Sequence, residues 1–205
     1  MGSRKKSSKR PLRADAARNR AAVLEATEAL LGEQGPSLST DEVARRAGVG
    51  VGTVFRHFPT KEALLRAVVA ARATRLTEQA RVLAGEGGGE ALFLFLERAV
   101  EHTATTPALI HALVALGVDS EAVVRDAKAE FVAALGELLT QAQGEGVVRH
   151  DVDVIDVYDL LVALVHAAEA RGRDRDRGRR ALMIVVDGLR PRAPSREPDE
   201  GPSGA

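Results

Sequence analysis

The order of apolar and polar residues predicts helices along almost the whole chain. Between residues 15 and 34, apolar side chains recur at the spacing of one helix face, and Gly35-Pro36 ends the pattern. Few segments alternate with period two, the spacing of a half-buried strand. The fold class is therefore expected to be all-α, with roughly nine helices. The other helices are predicted at about residues 39–48, 51–58, 60–83, 91–104, 107–116, 120–143, 154–170 and 177–189.

The clearest local signals lie in residues 39–65. Ser39 and Glu42 form a capping-box pattern, in which each side chain accepts a hydrogen bond from the backbone N–H of the other residue. Gly48 follows the second helix, at a position where a left-handed backbone favours glycine. Thr60 is placed to cap the fourth helix. Two short helices joined by a glycine turn predict a helix-turn-helix.

Composition divides the chain into four parts. Residues 1–14 are rich in Lys, Arg and Ser and are expected to form a disordered basic arm. Residues 15–65 form the helix-turn-helix domain, and residues 66–190 form a helical domain reached through the long fourth helix. Glycines at 85–89 mark a break inside that second domain. Residues 191–205 are rich in Pro, Gly, Ser and Glu, which predicts a disordered tail.

The formal net charge of zero hides a strong asymmetry. Up to Arg75 the chain carries 15 Lys/Arg and 7 Asp/Glu, whereas the rest carries 14 Lys/Arg and 22 Asp/Glu. This uneven distribution of charge favours a polyanionic partner for the basic part, which ends at Arg75. Simple surface solvation is the alternative.

Composition also restricts the class of protein. Cysteine is absent, which excludes disulfides and thiolate metal sites and fits a reducing compartment. No window offers about 20 uninterrupted apolar residues for a membrane span, and the basic N-terminus lacks the apolar core of a signal peptide. A cytoplasmic protein without a cofactor is therefore expected.

The helix-turn-helix segment presents a surface without acidic residues. No Asp or Glu lies between Glu42 and Glu62, while Thr53, Arg56 and His57 project from the third helix. A surface that faces phosphates requires this property, so double-stranded DNA is the expected partner. A purely structural motif, with Arg56 and His57 merely solvated, is the alternative. The residues expected to lock the two short helices together are Val43, Ala44, Ala47, Val49, Val54 and Phe58.

Residues 20–65 resemble the N-terminal domain of the TetR family of bacterial regulators almost without gaps. The resemblance implies an all-helical, non-enzymatic regulator that binds a palindromic operator as a homodimer. It further implies repression that a small effector relieves. The motifs that carry it are Ala26 with Leu30-Leu31 before Gly35, residues 39–44, Ala47-Gly48-Val49, residues 52–58 and residues 61–64.

The resemblance also implies roles for single residues. Contacts to the sugar-phosphate backbone are implied for Thr40, Thr53, Phe55, His57 and Lys61. Contacts to the bases are implied for Val51, Gly52 and Arg56, because Arg suits guanine and Val suits the methyl group of thymine.

Two positions depart from the family pattern. Gly50 stands where the family often has Ser, so a side-chain cap of the recognition helix is missing. Phe55 stands where Tyr is usual, so a hydrogen bond to phosphate is lost. Each change is expected to remove about 1 kcal/mol. The basic residues from Arg4 to Arg13 are expected to compensate through phosphate or minor-groove contacts, an idle solubilising tail being the alternative.

Two apolar stripes near the C-terminus are expected to form the dimer interface. They fit the self-complementary surface of a homodimer, and an intramolecular core is the alternative. The expected interface residues are Val154, Val157, Leu161, Val165, Leu182, Val185, Val186 and Leu189.

A pocket for a small, largely apolar effector is expected between these stripes and the fourth helix. Its candidates are apolar residues with a few polar groups, the usual lining of a ligand cavity. An ordinary core is the alternative for each. They are Phe93, Leu96, Val100, His102, Ile110, Leu113, Phe131, Leu135, Tyr158 and His166.

Two other functions remain open at this level. A metal-binding bundle enzyme is suggested by carboxylates and histidines, although His166 precedes Glu169 in the reverse of the Glu-x-x-His order of di-iron bundles. A nonspecific architectural DNA-binding protein is the other. The Arg/Asp-rich run at residues 171–180 favours a solvated loop over an RNA-binding segment.

Overall fold

The computed structural model describes the backbone of residues 9–102, 106–170 and 175–191. Side chains are described for residues 14–101, 108–125, 128–167 and 176–191. Within these ranges the chain forms nine α-helices and one short 3-10 helix, without a strand, which confirms the predicted all-α fold. The helices are α1 (Lys9–Gln34), α2 (Thr40–Arg46), α3 (Val51–His57), α4 (Lys61–Glu86), α5 (Ala91–His102), α6 (Thr106–Ala115), α7 (Ser120–Gly144), α8 (Val154–Ala170) and α9 (Arg175–Leu189), with the 3-10 helix at Gly35–Ser37.

The first helix begins earlier than the sequence pattern indicated. Helix α1 starts at Lys9, so the last residues of the predicted disordered arm are helical. Pro11 falls in the first turn, where backbone N–H groups have no partner within the helix and the missing donor does no harm. The Ala- and Arg-rich stretch that follows has high helix propensity. Residues 1–8 of the arm, residues 171–174 and the predicted tail from residue 192 lie outside the described residues.

One hydrophobic core lies around the N-terminal helices. It joins α1, α2, α3 and the first half of α4, but it also includes Leu109, Ala112 and Leu113 of α6 and Val123 of α7. The core therefore does not stop at the predicted boundary after residue 65. Leu113, which was expected in the effector pocket, is fully buried in this N-terminal core instead.

A second core holds the regulatory part together. It is built from α5, α7, α8, α9 and the second half of α4. Three aromatic rings pack in succession within it: the centroids of Phe95 and Phe131 are 5.9 Å apart, and those of Phe131 and Tyr158 are 6.2 Å apart. Tilted and edge-on aromatic pairs stabilise a core by more than the burial of their apolar area alone.

Helix α4 connects the two cores through a buried polar seam. Leu64, Leu65 and Val68 lie in the first core, whereas Ala80 and Leu83 lie in the second. Between them the α4 residues Arg72 and Thr77 are buried. Burial lowers the pKa of Arg72, and the nearby Glu28 carboxylate opposes that effect. Glu28 of α1 also accepts two hydrogen bonds from Arg75, so the seam ties α1 to α4.

Candidate nucleic-acid interface

The capping box predicted for α2 is present. The Ser39 hydroxyl accepts from the Glu42 backbone N–H at 3.2 Å, and the Ser39 N–H donates to Glu42 Oε2 at 3.2 Å. The hydrogen bond from the Ser39 backbone, with a second from its hydroxyl, lowers the pKa of Glu42. These bonds satisfy donors that would otherwise be unpaired and set where α2 begins.

The turn between α2 and α3 is a Schellman motif centred on Gly48. The Gly48 N–H donates to the Arg45 carbonyl at 3.2 Å, and the Val49 N–H donates to the Ala44 carbonyl at 3.0 Å. Gly48 has a φ of +67°, a conformation that side chains with a Cβ rarely adopt. The angle between the two helices therefore depends on glycine at this position.

Substitution of Gly48 by Ala is expected to lower the free energy of unfolding by about 1–2 kcal/mol, the cost of a left-handed backbone for a residue with a Cβ. Gly50 serves as the matched control because its φ is −71° and a Cβ at this position would have no neighbour within 4 Å. Gly50→Ser is expected to leave stability unchanged or to raise it by a few tenths of a kcal/mol, about the difference between Ser and Gly at an N-cap. The missing cap therefore costs less than the value of about 1 kcal/mol expected for a lost hydrogen bond. Urea unfolding of both variants measures the difference, and equal losses would contradict the role given to Gly48.

Apolar contacts hold α3 against the rest of the domain. Val54 is fully buried and Phe58, which follows the helix, is nearly so. The Arg20 guanidinium lies 5.4 Å from the centroid of the Phe58 ring, which adds a cation–π contact from α1. Of the six residues predicted to lock the two helices, Val43, Ala44, Val54 and Phe58 are buried, and Ala47 and Val49 are half-buried against the same core.

The outward face of α3 is formed by four exposed residues. Val51, Gly52, Phe55 and Arg56 are all exposed, while Thr53 and His57 are half-buried at its sides. Spacings of one, three and four residues place the four on a single arc of the helix. Gly50, at the N-cap, makes no side-chain hydrogen bond to the helix, as predicted.

Among the described residues, Arg56 forms no ion pair, so its charge is available to a partner. Arg46 is committed elsewhere, since its guanidinium donates to Glu33 at 3.0 Å and lowers the pKa of that carboxyl. Arg45 is mostly exposed and lies 3.9 Å from Glu42. The positive charge of the α3 arc therefore comes chiefly from Arg56.

Lys61 has a structural contact in addition to its predicted contact with phosphate. Its ammonium donates to the Leu38 carbonyl at 2.9 Å, which links the start of α4 to the segment before α2. An ammonium has three donors, so the others remain for a phosphate. Thr60 caps α4 as predicted, its hydroxyl accepting from the Ala63 N–H at 3.0 Å. Thr40, the first residue of α2, is half-buried.

The residues predicted for the effector pocket are only partly brought together. Phe93, Leu96, Phe131 and Leu135 are buried in the second core, with Val100 and Tyr158 packed against it. Ile110 is half-buried on α6 with Leu113, and His166 is exposed, its Nδ1 2.9 Å from the Val162 carbonyl oxygen. The side chain of His102 lies outside the described residues.

Two residues of this cluster were missed by the sequence analysis. Phe95 is fully buried beside Phe131, and Lys128 Nζ lies 3.8 Å from the centroid of the Tyr158 ring. Burial, together with the Asp159 carboxylate, raises the pKa of Tyr158, so its hydroxyl keeps its proton. Phe95 could have been found from its helical spacing with Leu92 and Ala99, whereas no local signal marks Lys128.

Most residues predicted for the dimer interface pack within the single chain. They belong to the second core or pack against it, so little of their surface is exposed, and their place in a dimer interface stays a prediction. Val154 and Val185 are partly buried against the same core. The buried ones are Val157, Leu161, Val165, Leu182, Val186 and Leu189.

Other apolar residues of the same two helices are exposed instead. On α8 these are Ile155 and Leu160, at 45% and 37% exposure, and on α9 they are Met183 and Ile184, at 52% and 67%. Helices α8 and α9 pack against each other, so the four residues lie on neighbouring helices. On α9 the sequence reasoning missed them because residues 182–186 are all apolar and therefore do not mark one helix face.

The metal-site hypothesis finds no support in the described part of the chain. No three His, Asp or Glu side chains there are grouped as metal ligands. His111 and Glu101 are exposed and Glu97 is half-buried, while the side chains of His102 and Glu169 lie outside the described residues. None of the described helices is both long and apolar enough for a membrane span.

Two family models match the chain. The one described as bacterial regulatory proteins, tetR family, matches residues 23–68, and the one described as transcriptional regulator SbtR-like, C-terminal domain, matches residues 87–191. The crystal structure of a TetR transcription regulatory protein from Mycobacterium vanbaalenii is 47% identical, covers 88% of this chain and 100% of that chain, and has a TM-score of 0.73. The chain belongs to the TetR family of transcriptional regulators. The resemblance seen in residues 20–65 is confirmed and extends through the regulatory part.

Further relatives agree with this TetR assignment. The TetR regulator SCO0520 from Streptomyces coelicolor is 31% identical over 85% of this chain and 99% of that chain, with a TM-score of 0.72. The transcriptional repressor Rv3405c of Mycobacterium tuberculosis is 39% identical over 79 residues, which are 38% of this chain and 40% of that protein. The regulator SAR0097 of Staphylococcus aureus is 43% identical over 63 residues, 29% and 32% of the two chains. The matched segment thus spans less than half the length of Rv3405c and of SAR0097. It is a helix-turn-helix, DNA-binding regulator and not an enzyme.

Proposed function

We propose that this TetR-family regulator is a repressor that binds a palindromic operator as a homodimer and leaves it when a small, largely apolar effector binds. The observation that carries the proposal is the exposed arc of α3, which is free of carboxylates and presents Arg56 without an ion pair to any described residue. A short second helix held at a fixed angle by a glycine turn is the geometry that enters the major groove. Repression is supported by the similarity to the repressor Rv3405c.

The proposed contacts follow the position of each residue on the arc. Val51, Gly52 and Arg56 face the bases, and Arg56 pairs with guanine through its two parallel donors. The residues proposed to contact phosphates at the sides of the arc and at the starts of α2 and α4 are Thr40, Thr53, His57 and Lys61. The role of the basic arm stays a prediction.

The homodimer is proposed to form through α8 and α9. Their exposed apolar residues, Ile155, Leu160, Met183 and Ile184, supply the non-polar centre that a stable interface needs. Two chains related by a two-fold axis present two copies of α3, which calls for a palindrome with half-sites about 34–36 Å, or a multiple of that distance, apart.

The effector is proposed to bind beside the aromatic cluster of Phe95, Phe131 and Tyr158. Tyr158 is the polar group of that cluster, and its protonated hydroxyl suits an acceptor on the ligand. Helix α6 inserts Leu109 and Leu113 into the N-terminal core, so a change in the regulatory part has a direct contact through which to move α3. The division into arm (1–14), DNA-binding (15–65), regulatory (66–190) and tail (191–205) segments stays a proposal, with α6 as a contact across the boundary at residue 65.

Selection of bound duplexes from a random-sequence pool tests the proposal. A single enriched palindrome is expected, and its absence would favour the architectural alternative. Arg56→Ala is expected to weaken binding of that duplex by about 1–3 kcal/mol and to relax the preference at one base pair of each half-site. Arg81→Ala, at an exposed arginine of α4, is the control and is expected to bind normally. Apolar small molecules screened in the same binding assay are expected to include one that releases the duplex.

A further inference from the structure

The recognition helix exposes two large apolar side chains one turn apart. Val51 is 40% exposed and Phe55 is 49% exposed, although Val54 and Phe58 of the same segment are buried. Residues four apart lie on the same helix face, so the two form one continuous apolar strip. Exposed apolar area of this kind on a binding surface indicates an apolar group on the partner.

Glycine at position 52 leaves this strip open. A Cβ placed on Gly52 would meet nothing within 4 Å, and its φ is not positive. Neither packing nor backbone conformation within the chain therefore calls for glycine there, although glycine weakens a short helix. The missing side chain leaves room beside Phe55 for close approach of another molecule.

The chemistry of DNA restricts what can fill this space. In the major groove each base edge offers hydrogen-bonding groups, and the only apolar group is the C5-methyl of thymine. Phe55 has no hydroxyl to donate to a phosphate. We infer that Val51 and Phe55 together bind thymine C5-methyl groups, next to the guanine that Arg56 contacts, so that each operator half-site is selected partly for its methyl groups. This inference rests on the proposed function and assigns Phe55 to the bases rather than to the phosphates.

Replacement of thymine by uracil tests the inference, because uracil keeps the base-pairing edge and the O4 acceptor and loses only the methyl group. The probe is the duplex enriched from the random pool, synthesised with uracil at a single position of one half-site at a time. One or two thymine positions are expected to show about a fourfold loss of affinity, the value of one buried methyl group. Uracil at other thymine positions is expected to have no effect.

Binding of the thymine and uracil duplexes to protein variants shows which side chain contacts the methyl group. In Val51→Ala or Phe55→Ala the affinity for the thymine duplex is expected to fall, and the corresponding uracil duplex is expected to bind no worse than the thymine duplex. Such non-additivity is the signature of a direct contact. Val82→Ala, at an exposed valine of α4, is the matched control and is expected to keep the full fourfold sensitivity. Circular dichroism of each variant checks that the helices are retained.

Two outcomes overturn the assignment. If no uracil position changes the affinity of the unaltered protein, the methyl groups are not bound; this measurement does not depend on any variant folding. If Phe55→Ala weakens the thymine and uracil duplexes by the same factor, the ring lies against the sugar-phosphate backbone. Failure to enrich any duplex contradicts the proposed function itself, and the inference with it.

Discussion

Ile184→Glu is expected to separate the homodimer and to weaken operator binding by at least about 100-fold, since two linked binding sites gain a factor of about 10²–10⁴ over one. Ile184 is 67% exposed on α9, beside Met183, and α9 packs against α8, which carries the exposed Ile155. A carboxylate at the centre of an apolar interface would lose its hydration without a partner charge. The fold of the single chain should be unaffected because the position is exposed in it.

Sedimentation at several protein concentrations measures the dimer, and titration of the enriched duplex measures operator binding. Val82→Glu is the matched control: Val82 is 57% exposed, but it lies on α4, which carries none of the residues proposed for the interface. It is expected to stay dimeric and to bind the operator. A dimer that persists in Ile184→Glu would show that the two copies meet through another surface.

Phe95→Ala is expected to lower the free energy of unfolding by about 3–5 kcal/mol, the range for removing a buried aromatic ring. Phe95 is fully buried, and its ring centroid lies 5.9 Å from that of Phe131. Its removal leaves a cavity in the middle of the second core, where α5 and α7 meet. Because that core joins five helices, the loss affects the whole regulatory part.

Urea unfolding at one fixed protein concentration measures this loss, since the stability of a dimer depends on concentration. Leu94→Ala on the same helix is the control. Leu94 is 38% exposed, so a much smaller loss is expected. Equal losses for Leu94 and Phe95 would contradict the central position given to the Phe95 ring.

The helix-turn-helix was predicted from sequence because its signals are local. The hydrogen bonds between Ser39 and Glu42 and the left-handed turn at Gly48 each depend on a few neighbouring residues. The segment between Ser39 and Gly48 therefore has few alternative backbone conformations. The structure confirms both the capping box and the turn. Helix α1 begins at Lys9, earlier than predicted, and Pro11 is accommodated in its first turn, where backbone N–H groups have no partner within the helix.

For the apolar helices of the regulatory part, the sequence did not show which face of each helix is buried. Val157 and Ile155 are both β-branched residues of α8, but one is fully buried and the other is 45% exposed. The sequence does not distinguish a Leu113 that lines a pocket from one that belongs to a core. Leu113 lies in the N-terminal core because α6 packs there. Which neighbour covers an apolar residue depends on contacts between distant parts of the chain, and a local pattern does not contain them.

The sequence by itself determined the all-α class, the helix-turn-helix and its carboxylate-free surface, because caps, turns and charge are properties of short segments. Only the tertiary structure decided which apolar residues of α8 and α9 remain for a partner. It also showed that Val51 and Phe55 stay exposed while Val54 and Phe58 are buried. The physical reason is that burial depends on how distant helices pack, and that packing distinguishes side chains of the same chemistry.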